Sequence, residues 1–317
     1  MLIFIVLLIV GFVVLIKGAD WFVDGASSLA ANFKVPKIII ALTIVSFGTS
    51  APELAVAFKS MISGNTDMVL GNVIGSNILN ILLILGLASM FHNLEVKSNT
   101  VKKEIPIVIL ISTLLVVLMN DNWFDSGVLN VLTRSDGIVI LLFFMVFIYY
   151  LIYVARRGHY EDEKPRYKVG ISIFLTVIGI LLVIFGSNLV VNNAVSIASM
   201  MGVSEKFISL TIISIGTSLP ELVTSVMAGI KKENDIAIGN IVGSCIFNIG
   251  CVLGLSLSLF GNIQILSFDI MDIFMFLLSA VLLFITSAKD NKITKSEGYS
   301  YLIIYVIYMI YLLMFSK

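Results

Sequence analysis

Two stretches of this chain are one segment written twice. Gly48–Ser89 reads GTSAPELAVAFKSMISGNTDMVLGNVIGSNILNILLILGLAS, and Gly216–Leu257 reads GTSLPELVTSVMAGIKKENDIAIGNIVGSCIFNIGCVLGLSL. At a constant offset of 168 and without a gap, 18 of 42 positions are identical. The register continues upstream, pairing Gly11 with Gly179, Gly18 with Gly186 and Ala26 with Ala194. A chain with such a repeat has to fold as two related halves.

What each half can be follows from its apolar runs. The 317 residues are 59% hydrophobic and only 13% charged, against about 25% charged in soluble domains. Ten apolar segments stand out, at 2–31, 37–63, 68–91, 104–120, 136–155, 169–200, 206–231, 235–260, 268–288 and 297–316. Most reach the ~20 residues that a membrane-spanning helix needs. None shows the alternation of a β-barrel strand, so all are expected to be helices. Five spans per half is an odd number, which turns the second half upside down relative to the first. In inverted-repeat transporters the substrate site lies near the midplane, where the repeats meet.

Lys and Arg positions orient the chain, because cytoplasmic loops carry their excess. With the N-terminus outside, inside loops hold 15 of them, from Lys34 and Lys37 to Lys292 and Lys295. Outside positions hold four: Lys59, Arg134, Lys206 and Lys317. The expected architecture is an all-α membrane protein of ten transmembrane helices in two inverted five-helix repeats, with both termini outside. Residues 1–155 form the first repeat, with its signature motif over 38–90. Residues 156–168 form a cytoplasmic linker, and 169–317 the second repeat, with its motif over 206–258. Residues 1–16 lack a basic start and run on into the apolar pattern, so they are read as part of the first span rather than a leader.

The repeated motif puts charge where it is costly. Glu53 and Glu221 sit in Gly-Thr-Ser-Ala-Pro-Glu and Gly-Thr-Ser-Leu-Pro-Glu, with apolar sequence on both sides. A charge at the centre of a membrane helix costs about 2.5–3.5 kcal/mol even on lenient scales. Pro52 and Pro220 each remove one N–H and disturb the carbonyl four residues back, that of Gly48 or Gly216. Thr49 and Glu53 are four apart, as are Thr217 and Glu221, so each pair is expected on one helix face. The surroundings are oxygen: carboxylates, freed carbonyls, and the hydroxyls of Thr49, Ser50, Thr217 and Ser218. Such ligands suit hard cations such as Ca²⁺ and Na⁺.

The next span of each half adds a polar stripe every four residues: Asn72, Ser76 and Asn80, then Asn240, Ser244 and Asn248. Gly71 and Gly75, with Gly239 and Gly243, are expected to allow close approach or a local break. Gly11, Gly18 and Gly25 in the first span, echoed by Gly179 and Gly186 in the sixth, point to tight helix packing or, more sharply, to a smooth face along which those two spans slide. Cys245 and Cys251 read as small buried apolar residues. His92, His159, Asp20, Asp24, Asp121, Asp125, Asp136, Asp269 and Asp272 fall near span ends or in loops and read as solvated.

GTSAPEL with GNVIGSNILN, and GTSLPEL with GNIVGSCIFN, resemble the paired signature repeats of the cation/Ca²⁺ exchanger superfamily, nearest its prokaryotic sodium/calcium branch. The resemblance covers the chain in length and span count. It implies a ten-helix fold whose second, third, seventh and eighth spans enclose the ions, and antiport of Na⁺ against Ca²⁺. By motif position it makes Glu53 and Glu221 the central Ca²⁺ ligands. Thr49, Ser50, Ser76, Thr217, Ser218 and Ser244 would complete Ca²⁺ or Na⁺ sites, with backbone carbonyls near Ser46 and Ser214. It also implies that the first and sixth spans slide as a pair against the other eight. The sodium/calcium branch often carries Asp where this chain has Asn248, opposite Asn80, so here the site holds two carboxylates.

The expected partners are Ca²⁺ and Na⁺ as substrates and the lipid bilayer, with no cofactor and no nucleic acid. The expected setting is a prokaryotic cytoplasmic membrane, with the monomer as the working unit. Two buried glutamates can release protons as readily as bind sodium, which keeps Ca²⁺/H⁺ antiport as an alternative. A cation channel fits less well, since filters are usually built from symmetric rings. An enzyme fits least, because no His or Lys base accompanies the Ser and Thr residues of the spans.

Overall fold

Where water is absent, a backbone satisfies its polar groups most simply as a helix, and the apolar runs of this chain do so. The computed structural model describes residues 1–123, 130–157, 164–202, 214–265 and 270–315. The start of the 206–231 segment with Lys206, the side chain of Ser214, residues 158–163 of the midpoint linker with His159, and Asp125, Asp269 and Lys317 lie outside the described residues.

Among the described residues the helices are α1 (Leu2–Phe33), α2 (Lys37–Thr49), α3 (Ala51–Ile62), α4 (Thr66–Phe91), α5 (Ile105–Leu118) and α6 (Arg134–Arg157). The second half gives α7 (Val169–Met200), α8 (Ser214–Thr217), α9 (Leu219–Ile230), α10 (Asn234–Phe260), α11 (Ile270–Asp290) and α12 (Lys295–Phe315). Seven are single helices long and apolar enough to cross a membrane, and α2 with α3 makes an eighth candidate bent by 44°. The 104–120 and 206–231 segments give shorter helices, α5 and α9.

The repeat holds in the backbone even where the sequences diverge. Ser63-Gly64-Asn65 and Lys231-Lys232-Glu233 share no residue. Both nevertheless place a left-handed residue at the same point, Gly64 at φ 80° and Lys232 at φ 60°. Both close the turn alike, Asn65 N–H to the Ser60 carbonyl and Glu233 N–H to the Ala228 carbonyl, each at 2.9 Å. Two short antiparallel ribbons tie loops together across the halves: β1 (Leu94–Glu95) with β4 (Lys292–Ile293), and β2 (Val131–Leu132) with β3 (Ile263–Gln264).

Helices α1 and α7 run antiparallel against each other along their length. A Cβ at Gly18 would lie 2.8 Å from the Val183 nitrogen, and one at Gly186 2.7 Å from the Leu15 nitrogen. At Gly179 it would meet the Phe22 nitrogen at 2.6 Å, and at Gly25 the Thr176 nitrogen at 2.5 Å. Backbones this close require glycine, which accounts for the spacing of these residues.

The pair is also held to the rest by charge. Lys231, at the end of α9, reaches Asp20 at 2.6 Å and Asp24 at 2.7 Å on α1, and Arg166 reaches Asp24 at 3.1 Å. Lys37 contacts Glu233 at 2.9 Å, and Ser27 of α1 donates to the same carboxylate at 2.9 Å. Asp20 and Asp24 therefore do not form a solvated face; they are mostly buried and ion-paired. His92 likewise has a partner, Asn234 Oδ1 at 2.8 Å. A helix end that packs on a neighbour's turn gives no periodic sign of it in the sequence.

Candidate cation site

The site is built where the two signature breaks cross. Ser50 and Ser218 leave helical geometry at φ −84°, ψ 6° and φ −91°, ψ 10°. Helices α3 and α9 restart immediately, with Pro52 and Pro220 in their first turns, where a missing N–H costs nothing. Glu53 and Glu221 also fall in those first turns, and both are buried. The helix N-terminus favours negative charge there.

The carboxylates are held crosswise. Ser50 of the first half donates to Glu221 Oε1 at 2.9 Å and lies 3.1 Å from Ser244 Oγ. Ser218 of the second half donates to Glu53 Oε1 at 3.2 Å and lies 3.1 Å from Ser76 Oγ. Each glutamate thus sits in a hydroxyl cradle whose key member comes from the other half. One oxygen of each, Glu53 Oε2 and Glu221 Oε2, is buried and has no hydrogen-bond partner among the described residues. A charged buried oxygen without a donor is costly, and a cation in contact removes that cost.

The threonines cross as well. Thr49 Oγ1 donates to Asn240 Oδ1 at 3.0 Å, and Thr217 Oγ1 to Asn72 Oδ1 at 3.3 Å. The chain bends by 44° at Ser50, between Thr49 and Glu53. Ser46 turns its hydroxyl to the Ala41 carbonyl at 2.6 Å, and its own carbonyl accepts the Ser50 N–H at 2.9 Å. The Ser214 backbone opens α8.

Helices α4 and α10 supply the walls, and α10 does so by close approach. A Cβ at Gly243 would lie 3.0 Å from the Leu42 Cα, and one at Gly239 2.5 Å from the Ala41 Cβ. Neither glycine breaks its helix; both stripes instead end in a π-helical turn, Asn80–Leu85 and Asn248–Leu253. Such turns leave carbonyls less well paired and recur at functional sites. Asn80 and Asn248, which open these turns, are buried; Asn248 Oδ1 lacks a hydrogen-bond partner among the described residues, and the Asn80 amide has only the Cys245 thiol beside it.

Two features escaped the sequence reasoning. The signature glycines face α7: a Cβ at Gly48 would lie 3.1 Å from Ile180 Cγ1, and one at Gly216 2.6 Å from Val191 Cγ2. Their recurrence in both halves was the available signal. The other is asymmetry. Asn240 Nδ2 donates to Ser225 at 2.9 Å, whereas Asn72 Nδ2 has no partner among the described residues; Ala57 stands at the position matching Ser225.

Comparison with known proteins agrees with this geometry. A family model described as sodium/calcium exchanger protein matches residues 3–153 and 171–314. The inner membrane protein YrbG of Escherichia coli is 39% identical over 268 residues, covering 80% of this chain and 79% of the relative. The sodium/calcium exchanger MaX1 of Methanosarcina acetivorans is 29% identical over 346 residues, covering 96% and 97%. A solved structure of the sodium-calcium exchanger NCX_Mj, soaked with Na⁺ and no Ca²⁺, superposes with a TM-score of 0.83. It is 30% identical and covers 98% of this chain and all of that one. With its helices and its crossed signature motifs, this multi-pass membrane protein belongs to the sodium/calcium exchanger family.

Proposed function

We propose that this chain is a secondary antiporter that exchanges Na⁺ for Ca²⁺ by alternating access. The observation that carries the reading is the crossed cradle: Glu53 held by Ser218, Glu221 held by Ser50, and one buried unpartnered oxygen on each carboxylate. Two carboxylates neutralise one Ca²⁺. Glu53, Glu221, Thr49, Thr217, Ser50, Ser218, Ser76 and Ser244 supply oxygens, joined by Asn80, Asn248 and the carbonyls near Ser46 and Ser214. Empty, the site would bury two negative charges in a low dielectric and resist occlusion. One Ca²⁺ or several Na⁺ relieve that charge. Because the ligands are shared, the ions compete, and a carrier that crosses only when loaded is an antiporter.

The reading includes ten spans in two inverted repeats, both termini outside, 1–155 and 169–317 as the halves, and 156–168 as a cytoplasmic linker. The ribbons support this parity, since each joins loops that span counting puts on one side. The transport unit is the monomer, in the cytoplasmic membrane.

The test is uptake of radioactive Ca²⁺ into proteoliposomes loaded with Na⁺. The wild type is expected to accumulate Ca²⁺, and Glu53→Gln to lose about 100-fold or more, since ligand charge count sets Ca²⁺ affinity. Uptake that follows an imposed pH gradient and ignores Na⁺ would reassign the counter-ion to H⁺.

A further inference from the structure

Asn77 lies beside the proposed ligands without belonging to either matched stripe. It is buried, as are Cys245, which holds the matching position in the second half, and Asn80 and Asn248. Asn77 Nδ2 donates to the Cys245 carbonyl at 3.2 Å, and Asn248 Nδ2 donates to Asn77 Oδ1 at 3.2 Å. The order of these bonds is forced. A backbone carbonyl only accepts, so Asn77 has to present its NH₂ group to Cys245. Its oxygen is then left facing Asn248, which has to present NH₂ in turn. Asn248 Oδ1 is thereby aimed away from the pair, and it is the buried oxygen without a partner.

The other half has a weaker counterpart. Cys245 offers a thiol where Asn77 offers an amide, and that thiol is the weak hydrogen-bonding neighbour of Asn80. The two asparagines are alike in sequence position and unlike in restraint.

We propose that Asn77 is a positioning residue that fixes the orientation of Asn248 and requires a hydrogen-bond donor at position 248, so that this ligand stays a neutral amide. A carboxylate there would set an acceptor against Asn77 Oδ1. Turning Asn77 to meet it would set that oxygen against the Cys245 carbonyl instead. The proposal rests on the antiport reading and deepens it: residue 77 decides how many charges the middle of the site can hold.

The test uses the full-length chain, purified and reconstituted, as Asn77→Ala, Asn77→Ser, Asn248→Asp and the double variant Asn77→Ser with Asn248→Asp. A serine at 77 can accept from an amide or donate to a carboxylate. Na⁺-driven Ca²⁺ uptake is expected to fall about tenfold in Asn248→Asp, the size of effect that leaving a buried polar group mismatched produces. The double variant should recover most of it. Asn77→Ala should raise the Ca²⁺ KM about fivefold with turnover little changed, a split that mere loss of folded protein would not give. Wild-type uptake in Asn248→Asp, or a double variant as impaired as Asn248→Asp, would overturn the proposal. Thermal unfolding in detergent reads the same coupling. If Asn248→Asp destabilises the fold, serine at 77 should restore the midpoint, and failure to do so also counts against the proposal. If the wild type shows no Na⁺-driven uptake, the antiport reading fails, and the unfolding midpoints still decide the Asn77–Asn248 pairing.

Discussion

Helix α10 and helix α1 are both long, apolar and continuous, yet they are packed in opposite ways. The most apolar stretch of α10 is 94% buried within the protein, and that of α4 is 78% buried. The corresponding stretches of α1 and α7 are only 22% and 28% buried. The ligand-bearing helices sit inside a shared apolar core. The α1–α7 pair has a small cluster of its own, Leu15, Ala19, Val183 and Val190, meeting the rest at Leu219, while Phe22, Val23, Ala26 and Ala30 of α1 join the shared core. Close-packed interiors switch between discrete arrangements rather than deform. A body packed like α10 with its neighbours holds ligands still. A pair packed backbone to backbone, with most of its apolar surface facing outward, is the natural candidate to shift as a unit. The difference makes α1 and α7 the pair to test for movement against a rigid site.

The strongest way to break this contrast is to roughen the pair's own face. Gly18→Leu together with Gly186→Leu places side chains where backbone nitrogens lie 2.8 and 2.7 Å from the new Cβ atoms. Overpacking of this kind costs about 1–3 kcal/mol per site, and here it wedges apart two helices that carry none of the proposed ligands. Na⁺-driven Ca²⁺ uptake is expected to fall by about 100-fold, while Ca²⁺ binding measured calorimetrically on the detergent-purified protein stays within about threefold of wild type. Equal loss of binding and transport would mean that the pair and the site are one body.

A finer test lies at the seam between the two bodies. The Cβ of Gly216→Ala would meet Val191 Cγ2 at 2.6 Å, on a β-branched side chain with little freedom to turn away. That of Gly48→Ala would meet Ile180 Cγ1 at 3.1 Å, a gap that a few tenths of an ångström relieve. Gly216→Ala is expected to slow transport about tenfold, and Gly48→Ala about twofold. Initial rates at saturating Ca²⁺ distinguish them; equal rates would show that the seam does not sense α7 at these points.

Much of this was legible in the residues, and what was not shares a cause. Apolar length placed the helix cores, and the offset of 168 paired Ser50 with Ser218 and Glu53 with Glu221. Repeat matching says which residues are equivalent, and it is silent on which ones touch. The crossing of Ser50 to Glu221 and Ser218 to Glu53 is tertiary. So is the bend at Ser50. Asn77 was passed over because its counterpart is Cys245, and a search for matched polar residues discards a position matched in one half only. Asp20 and Asp24 were misread because nothing local to α1 announces Lys231, which arrives from the end of α9.

That ionic tie gives the smallest test of the contrast. Lys231 joins α9, on the site's side, to Asp20 and Asp24 on α1. Its side chain is about one-fifth exposed, so its pairs are neither fully screened nor fully desolvated. Lys231→Met keeps most of the aliphatic stem and removes the charge. Arg166 still reaches Asp24, and Lys17 reaches Asp20 at 3.2 Å, so neither carboxylate is stranded. A loss of about 1 kcal/mol is expected in unfolding stability at low salt, near the upper end for partly exposed pairs. Raising the ionic strength to about 1 M shortens the screening length to about 3 Å, and the gap between variant and wild type should narrow. A gap that is the same at both salt concentrations would trace the effect to the packing of the lysine stem. The seam between the two bodies would then be apolar throughout, and the ion pairs would only mark where it ends.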